Sequence, residues 1–490
     1  MKAFPLATLD KRWKHTLLNQ FHDILPGSSI DEVYQDCETM YAEIFKMAGQ
    51  FVESCGIDPK VDITKGITVV NTLSWKRDVL TSFTCCACAA AKGLTITKDG
   101  QVMPCSVVID GDTATVTFLA KGIDGMSSAD FEVAAGAADG RTMCVTQDEN
   151  GITVDNDTYH AVIDNAGRIA TLFDKRVNKN VLRAPGNDVK YFLDGPQNED
   201  AWNIYKNYKR REVTVYNSTS VCIGENNDLR TVIKVHNVGD KVNFRQDIIF
   251  YHDKDRIDFA CDIDWHERGK VMRVYFPTTM NAPYFNSETG FGTYKRPTIN
   301  STKLEQAKFE VTAHRWIDLS ETDYGVALLN DCKYAHDVQY DNIGLTLLRS
   351  TSSPAKFADI GNHKITYSLL PHVGSWEHAG VARAGIELNA ESHAMGAIGK
   401  CDIAAGLFGC ANENIIIDTV KKAENSDEVV VRLYESNGAS GAAKLTVGKD
   451  VAASAECDLV ERKIGEAPVV NGAIDFSFTP YEIKTFIIKF

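Results

Sequence analysis

Near residue 60 the hydrophobic pattern of the chain changes its period from 3.6 residues to 2, and it keeps the shorter period to Phe490. No single fold element satisfies both periods, so a helical segment must give way to strands. Before the change, Trp13, Leu17, Leu18 and Phe21 mark one face of a helix that Asp10 is placed to cap. Pro26 and Gly27 interrupt it. A longer stripe follows in Val33, Cys37, Met40, Tyr41, Ile44, Ala48, Phe51, Val52 and Cys55. It is opened by Ser29 and Glu32 at capping-box spacing and closed by Gly56 ahead of Asp58-Pro59. Roughly 26 residues at 1.5 Å each span ~39 Å, the length of a bundle helix. Two helices cannot close a bundle, so these expect a partner.

Beyond residue 60, Thr113 to Leu119 alternates after an Asp-Gly-Asp turn, and Tyr159, Ala161 and Ile163 lead through Asn165-Ala166-Gly167 into Ile169, Thr171 and Phe173. Repeated to the end of the chain, this pattern predicts antiparallel β-sandwiches. The fold class expected is mainly β with a short N-terminal helical segment. The expected division is a helical bundle remnant at 1–57, a small β domain at 58–150, a central β-sandwich at 151–385 and a C-terminal β-sandwich at 386–490. The small-residue stretches 134–140 and 439–443 read as linkers or hairpin tips.

At 490 residues the chain is too long for one core. Its net charge of −14 and the lack of a basic run exclude nucleic acid as a partner. Thirteen cysteines without framework spacing predict a reducing compartment. Cys85, Cys86 and Cys88 lack the second pair that a zinc finger needs, and read as small buried residues of a strand. With no apolar leader at Met1-Lys2-Ala3-Phe4-Pro5 and no run of 18 uncharged apolar residues, neither export nor membrane spanning is expected, and the chain reads as cytoplasmic.

The most specific segment is Gln20-Phe21-His22-Asp23-Ile24-Leu25-Pro26-Gly27-Ser28-Ser29-Ile30. It resembles the stretch with which family 38 glycoside hydrolases, the α-mannosidases, bring a last histidine ligand to zinc. Further segments follow in the order that family uses. They are Val69 to Arg77, Asp194 to Trp202, Asp258 to Trp265, Phe309 to Ser320, Tyr324 to Asp331, and Tyr367 to His372. The resemblance implies a C-terminal half of such an enzyme, a partial bundle followed by sandwiches of the galactose-mutarotase-like kind. It also implies an N-terminal α/β barrel that supplies the other zinc ligands, the nucleophile and the acid. Only 21 residues precede His22, so no catalytic residue is assigned within the chain. A fragment, an internal start or one half of a split enzyme is expected.

A retaining glycosidase needs two carboxyl groups about 5–5.5 Å apart. The resemblance adds zinc as a clamp on sugar hydroxyls. It implies His22 as the one metal ligand of this chain and Asp23 as a substrate-binding residue beside the metal. The plain alternative for both is a helix-end pair bonded to backbone. Asp200 and Trp202 are candidate substrate contacts, because Asp194 to Trp202 breaks strand alternation with glycine, proline, acids and an aromatic suited to stacking on a sugar. Arg296, extended before Pro297, is a candidate to reach a sugar, or else a solvated strand end. His314, Trp316 and His372 read as packing or surface residues.

The expected function is the C-terminal portion of an α-mannosidase, acting on α-mannoside oligosaccharides with a barrel from another chain, or self-associating. The alternative is a non-catalytic carbohydrate-binding or scaffold protein. A mutarotase-like activity would need an acid–base pair that the sequence does not offer.

Overall fold

The computed structural model describes residues 6–54, 61–136, 140–196, 198–390, 392, 394–396 and 406–490. Helix α1, Leu6–Leu18, and helix α2, Asp31–Ser54, form a hairpin tied by an Arg12–Glu43 ion pair. Two expected caps do not form. Because α1 already begins at Leu6, Asp10 lies inside it and pairs with Lys14 at 2.7 Å. Ser29 donates its hydroxyl to the Asp23 carbonyl at 2.9 Å, which closes the turn, and α2 begins instead with Asp31 and Glu32 at its positive end. Cys55, Gly56 and Asp58-Pro59 lie outside the described residues.

The first β unit packs a three-stranded sheet, Arg77–Cys86, Thr113–Ile123 and Cys105–Asp110, on a five-stranded one. Along Thr113–Ile123 the alternation places Ala114, Val116, Phe118 and Ala120 inward, and Gly111 takes the left-handed turn position at φ 56°. The five-stranded sheet runs Ala394–Gly396, Ile67–Asn71, Ser127–Ala135, Leu94–Lys98, Gln101–Met103. Strand pairing therefore crosses two of the borders drawn from the sequence. Ala394–Gly396 returns to pair with Ile67–Asn71, and Cys144–Asp148 already belongs to the next sheet. Of the small-residue stretches, residues 137–139 lie outside the described residues, and 439–443 leads into strand Gly441–Val447.

The cysteine cluster is not buried. Strand Arg77–Cys86 ends at a surface turn, so Cys85 is half-buried while Cys86 and Cys88 are exposed with their sulfurs paired; Ala90 is what turns inward.

A nine-stranded antiparallel sheet organises the centre, in the order Ser218–Asn226, Arg230–Val238, Val242–Tyr251, Ile257–Trp265, Gly361–Val373, Tyr324–Asn330, Trp316–Ser320, Tyr284–Thr289, Gly292–Pro297. Two five-stranded sheets complete a core that holds Ile152, Phe244, Phe259, Phe276 and Tyr367. Strand Tyr324–Asn330 is buried along its whole length. Val326 and Leu328 join the main core, while Ala327 and Leu329 sit under helix Val381–Asn389 with Trp316 and Trp376. Burial on both faces explains its unbroken apolar run.

The last unit packs a three-stranded sheet on a five-stranded one around Leu433, Leu445, Phe476 and Phe486. Trp75, Ile386, Ile416 and Tyr434 cluster where the units meet, and Trp75 Nε1 donates to Glu387 at 2.8 Å. Among the described residues, no helix is long and apolar enough to cross a membrane.

Candidate functional site

The turn between the helices is built around one carbonyl. The Asp23 C=O accepts from the Ser28 N–H at 3.1 Å and from the Ser29 hydroxyl at 2.9 Å, while Gly27 makes the reversal possible at φ +79°. The Asp23 carboxylate is held between the Ser28 hydroxyl, 3.2 Å from Oδ1, and His22 Nε2, 3.5 Å from Oδ2. The His22 ring lies 4.1 Å from that of Phe21, and its side chain is 79% exposed. Phe21, Leu25 and Ile30 are exposed beside it, as are Trp13, Leu17 and Leu18 on α1. Imidazole and carboxylate thus face outward from an uncovered apolar surface.

A second group meets the start of α2. Arg349, at the end of strand Asn342–Arg349, donates Nε to the buried Asp194 Oδ2 at 2.8 Å and Nη2 to the Asp200 carbonyl at 2.8 Å and the Asn203 carbonyl. Asp194 Oδ1 accepts from the Tyr205 N–H at 3.0 Å. These bonds shape the loop that carries Trp202, a residue that is 58% exposed. Asp200 Oδ2 accepts from the Ser352 N–H at 2.6 Å and its hydroxyl at 3.0 Å, and the Ala201 N–H donates to the Ser353 carbonyl at 3.1 Å. Three residues after Ser353, the Lys356 N–H donates to Asp31 Oδ2 on α2 at 3.1 Å.

The segment 349–356 thus meets both the loop that carries Trp202 and the start of α2, the helix that follows the His22–Asp23 turn. Asp200 belongs to this assembly in a different role from the one expected, because its carboxylate is buried against Ser352 and fixes the loop instead of facing a ligand. Arg296 stands elsewhere, on strand Gly292–Pro297, bonded to Ser287 and Thr312. Sequence reasoning passed over Arg349, Ser352 and Asp31. The available signal was an arginine that ends an apolar run directly before Ser-Thr-Ser-Ser-Pro. Trp316 packs against Trp376 with ring centroids 5.0 Å apart, His372 Nε2 lies 2.7 Å from Asp318, and His314 lies against Tyr334, which places all three in packing.

Behind the Trp202 loop lies a buried ionic network. Lys209 donates to Asp337 at 2.5 Å, Arg273 pairs with both Asp337 and Glu310, and the Tyr208 hydroxyl bonds Glu310. Burial pushes the Glu310 carboxyl up, against the pull of Arg273. Burial also opposes the Arg273 charge, but Glu310 and Asp337 outweigh it and hold the guanidinium protonated. These groups face one another and anchor the loop's far end.

Among the described residues, no three His, Cys, Asp or Glu side chains gather to hold a metal. His22 and Asp23 offer one imidazole and one carboxylate, short of the three or four ligands that zinc takes. The described residues alone do not fit a zinc centre.

Three family descriptions match the chain in succession. They are the alpha mannosidase middle domain over residues 1–56, the glycosyl hydrolases family 38 C-terminal domain over 154–357, and that family's C-terminal beta sandwich domain over 414–486. The chain is similar to Alpha-mannosidase 2C1 of Mus musculus, 29% identical over 502 residues, covering 99% of this chain and 46% of that protein. It is 31% identical over 537 residues to Alpha-mannosidase G of Dictyostelium discoideum, covering 99% and 48%. A crystal structure of an alpha-mannosidase from Enterococcus faecalis V583 superimposes with a TM-score of 0.77 at 14% identity, covering 99% of this chain and 64% of that one. That likeness is one of fold. The chain spans about half the length of the curated relatives it matches.

Proposed function

The chain belongs to the family 38 glycosyl hydrolases, and from that premise we propose that it serves as the C-terminal part of an α-mannosidase acting on α-mannoside oligosaccharides. In this reading the chain supplies contacts at the rim of a site whose reacting carboxyl groups lie in the region of the relatives that it does not match. His22 is one donor to zinc there, Asp23 orients it and meets sugar hydroxyls, and Trp202 offers a stacking face. The region holding those carboxyl groups comes from a barrel chain or a longer protein.

The observation that supports the reading is the join between the His22 turn and the Trp202 loop. Asp31 and Asp200, from elements far apart in sequence, both accept backbone N–H groups of residues 352–356. Among the described residues the cysteines outside the Cys86–Cys88 pair are free, which supports a reducing, cytoplasmic setting.

The test is hydrolysis of 4-nitrophenyl α-mannoside. A fusion of a relative's unmatched N-terminal region to this chain is expected to release nitrophenol, with release lost in His22→Ala and reduced in Trp202→Ala. The 490-residue chain alone is expected to give none above a blank, because it carries no assigned nucleophile or acid. Release by the chain alone, or an unaffected His22→Ala fusion, refutes the reading.

A further inference from the structure

At the edge of the nine-stranded sheet, strands Tyr284–Thr289 and Gly292–Pro297, helix Lys303–Ala307 and strand Ala335–Gln339 enclose a pocket of about 230 Å³. Its inner wall is apolar, with Phe285 and Val338 buried and Phe309 partly buried. The acids on its wall are already engaged. Glu305 accepts from the N–H groups of Ser301 at 3.0 Å and Thr302 at 2.8 Å, closing the capping box of its helix. Asp337 is paired with Lys209 and Arg273.

The cations are not so engaged. Arg296 donates Nε to Ser287 Oγ at 3.1 Å and Nη2 to the Thr312 carbonyl at 3.3 Å, and it lies 4.6 Å over the Tyr294 ring; these partners are neutral. Lys295 lies 4.9 Å over the Tyr284 ring, on the face of the hairpin opposite Arg296, since Arg296 pairs with Phe285 and Lys295 with Asn286. Among the described residues no carboxylate pairs with Arg296, Lys295 or Lys308. Partial burial pulls the Arg296 guanidinium below its ordinary value. The chain has 66 acids against 52 bases, so a counter-charge would be easy to supply, yet this arginine has none.

We propose that this pocket binds a small phosphate monoester, with the phosphate between Arg296 and Lys308 and the body of the molecule against Phe309 and Tyr294. Two uncompensated cations suit a dianion better than a monoanionic carboxylate, and a guanidinium presents its N–H groups to phosphate oxygens in pairs. The volume lies below the ~300–1,000 Å³ of drug-sized sites, which favours a hexose phosphate over a nucleotide or an oligosaccharide. The site shares no residue with the His22 turn and does not rest on the mannosidase reading.

Isothermal titration of the 490-residue chain at fixed ionic strength tests this with glucose 6-phosphate, inorganic phosphate, glucuronate and glucose. Glucose 6-phosphate is expected to saturate and glucose to give no heat, with inorganic phosphate and glucuronate weaker. Arg296→Lys, which keeps the charge and loses the fork, is expected to weaken binding about tenfold. Lys308→Ala, at an exposed position whose loss cannot unfold the sheet, is expected to weaken it severalfold. Absence of saturation with glucose 6-phosphate, equal binding of glucuronate, or unchanged affinity in both variants overturns the proposal.

Discussion

Arg349→Met tests whether the Trp202 loop depends on a single cation. The substitution keeps most of the side-chain length and removes the donors that reach Asp194, Asp200 and Asn203. The Asp194 side chain is 3% exposed, so its carboxylate is left buried with only the Tyr205 N–H. Removing one partner of a buried pair costs about 3–5 kcal/mol. Arg349 itself is 19% exposed and Asp194 keeps one bond, which points to the lower end, about 3 kcal/mol.

The cost falls on local opening of the loop, because the strands on either side keep their own ladders. About 3 kcal/mol corresponds to exchange faster by roughly a hundredfold. Hydrogen exchange read by mass spectrometry over residues 198–211 and 350–359 measures it, with strand Val242–Tyr251 as the internal reference. Peptides covering residues 20–34 are expected to accelerate to a smaller degree, through the Lys356–Asp31 bond. Arg349→Lys is expected to fall between, since it restores the charge but not the three-way fork. Acceleration below about threefold in the Met variant refutes the claim that Arg349 organises the loop.

Three further outcomes are expected. His336 donates Nδ1–H to the Tyr334 carbonyl at 3.1 Å, and burial holds it neutral, with its pKa lowered to about 4. Between about pH 6.5 and 4 the unfolded chain binds a proton that the folded one does not. Stability therefore falls by about 3 kcal/mol as pH drops through that window, and urea titrations at its two ends should show a flatter dependence in His336→Asn. Gly325→Ala would bring a methyl within 2.7 Å of His372 Nε2 and onto Ser320, in a fully buried strand; a loss of roughly 1–3 kcal/mol is expected in chemical denaturation, and an unchanged midpoint counts against the packing described. The exposed face of the helix pair, which includes Trp13, Leu17 and Phe45, should make the chain self-associate in light scattering, and Leu17→Lys with Phe45→Lys should reduce that association.

What could be read in the chain follows from what is local. The two helices and the strand Thr113–Ile123 are written in periods that a few residues carry, and both are present. The caps at Asp10 and Ser29 were misassigned because a capping residue is defined by where its helix starts, and Ser29 found a better acceptor across the turn. The pairing of Ile257–Trp265 with Gly361–Val373, and of Ile67–Asn71 with Ala394–Gly396, joins segments far apart in sequence, and no periodicity within either strand encodes its partner. At the site, the His22 segment was legible because its residues are contiguous. Asp200 was legible as unusual but not in its role, since whether a carboxylate faces a ligand or a backbone N–H depends on Ser352, about 150 residues away.

The placement of the His22 turn relative to the Trp202 loop rests on few contacts. The helix pair meets the β region through the Asp31 bond to Lys356, and the Trp202 loop meets the same segment through Asp200 and Ala201. Each bond ends on a backbone atom of residues 352–356, so a shift of that segment displaces the turn and the loop together. Arg349 lies at the near end of the segment, where its N–H also donates to Asp359 at 3.1 Å. Rigidity is thus concentrated in the strand Asn342–Arg349 and passed outward by short polar contacts, while the apolar surface around His22 stays uncovered. Covering that surface would remove the hairpin's remaining freedom without altering any contact of the loop. A surface-masking change at Leu17 should therefore leave exchange at residues 198–211 as it was, whereas Asp31→Asn should loosen the hairpin and leave Asp200 bound to Ser352.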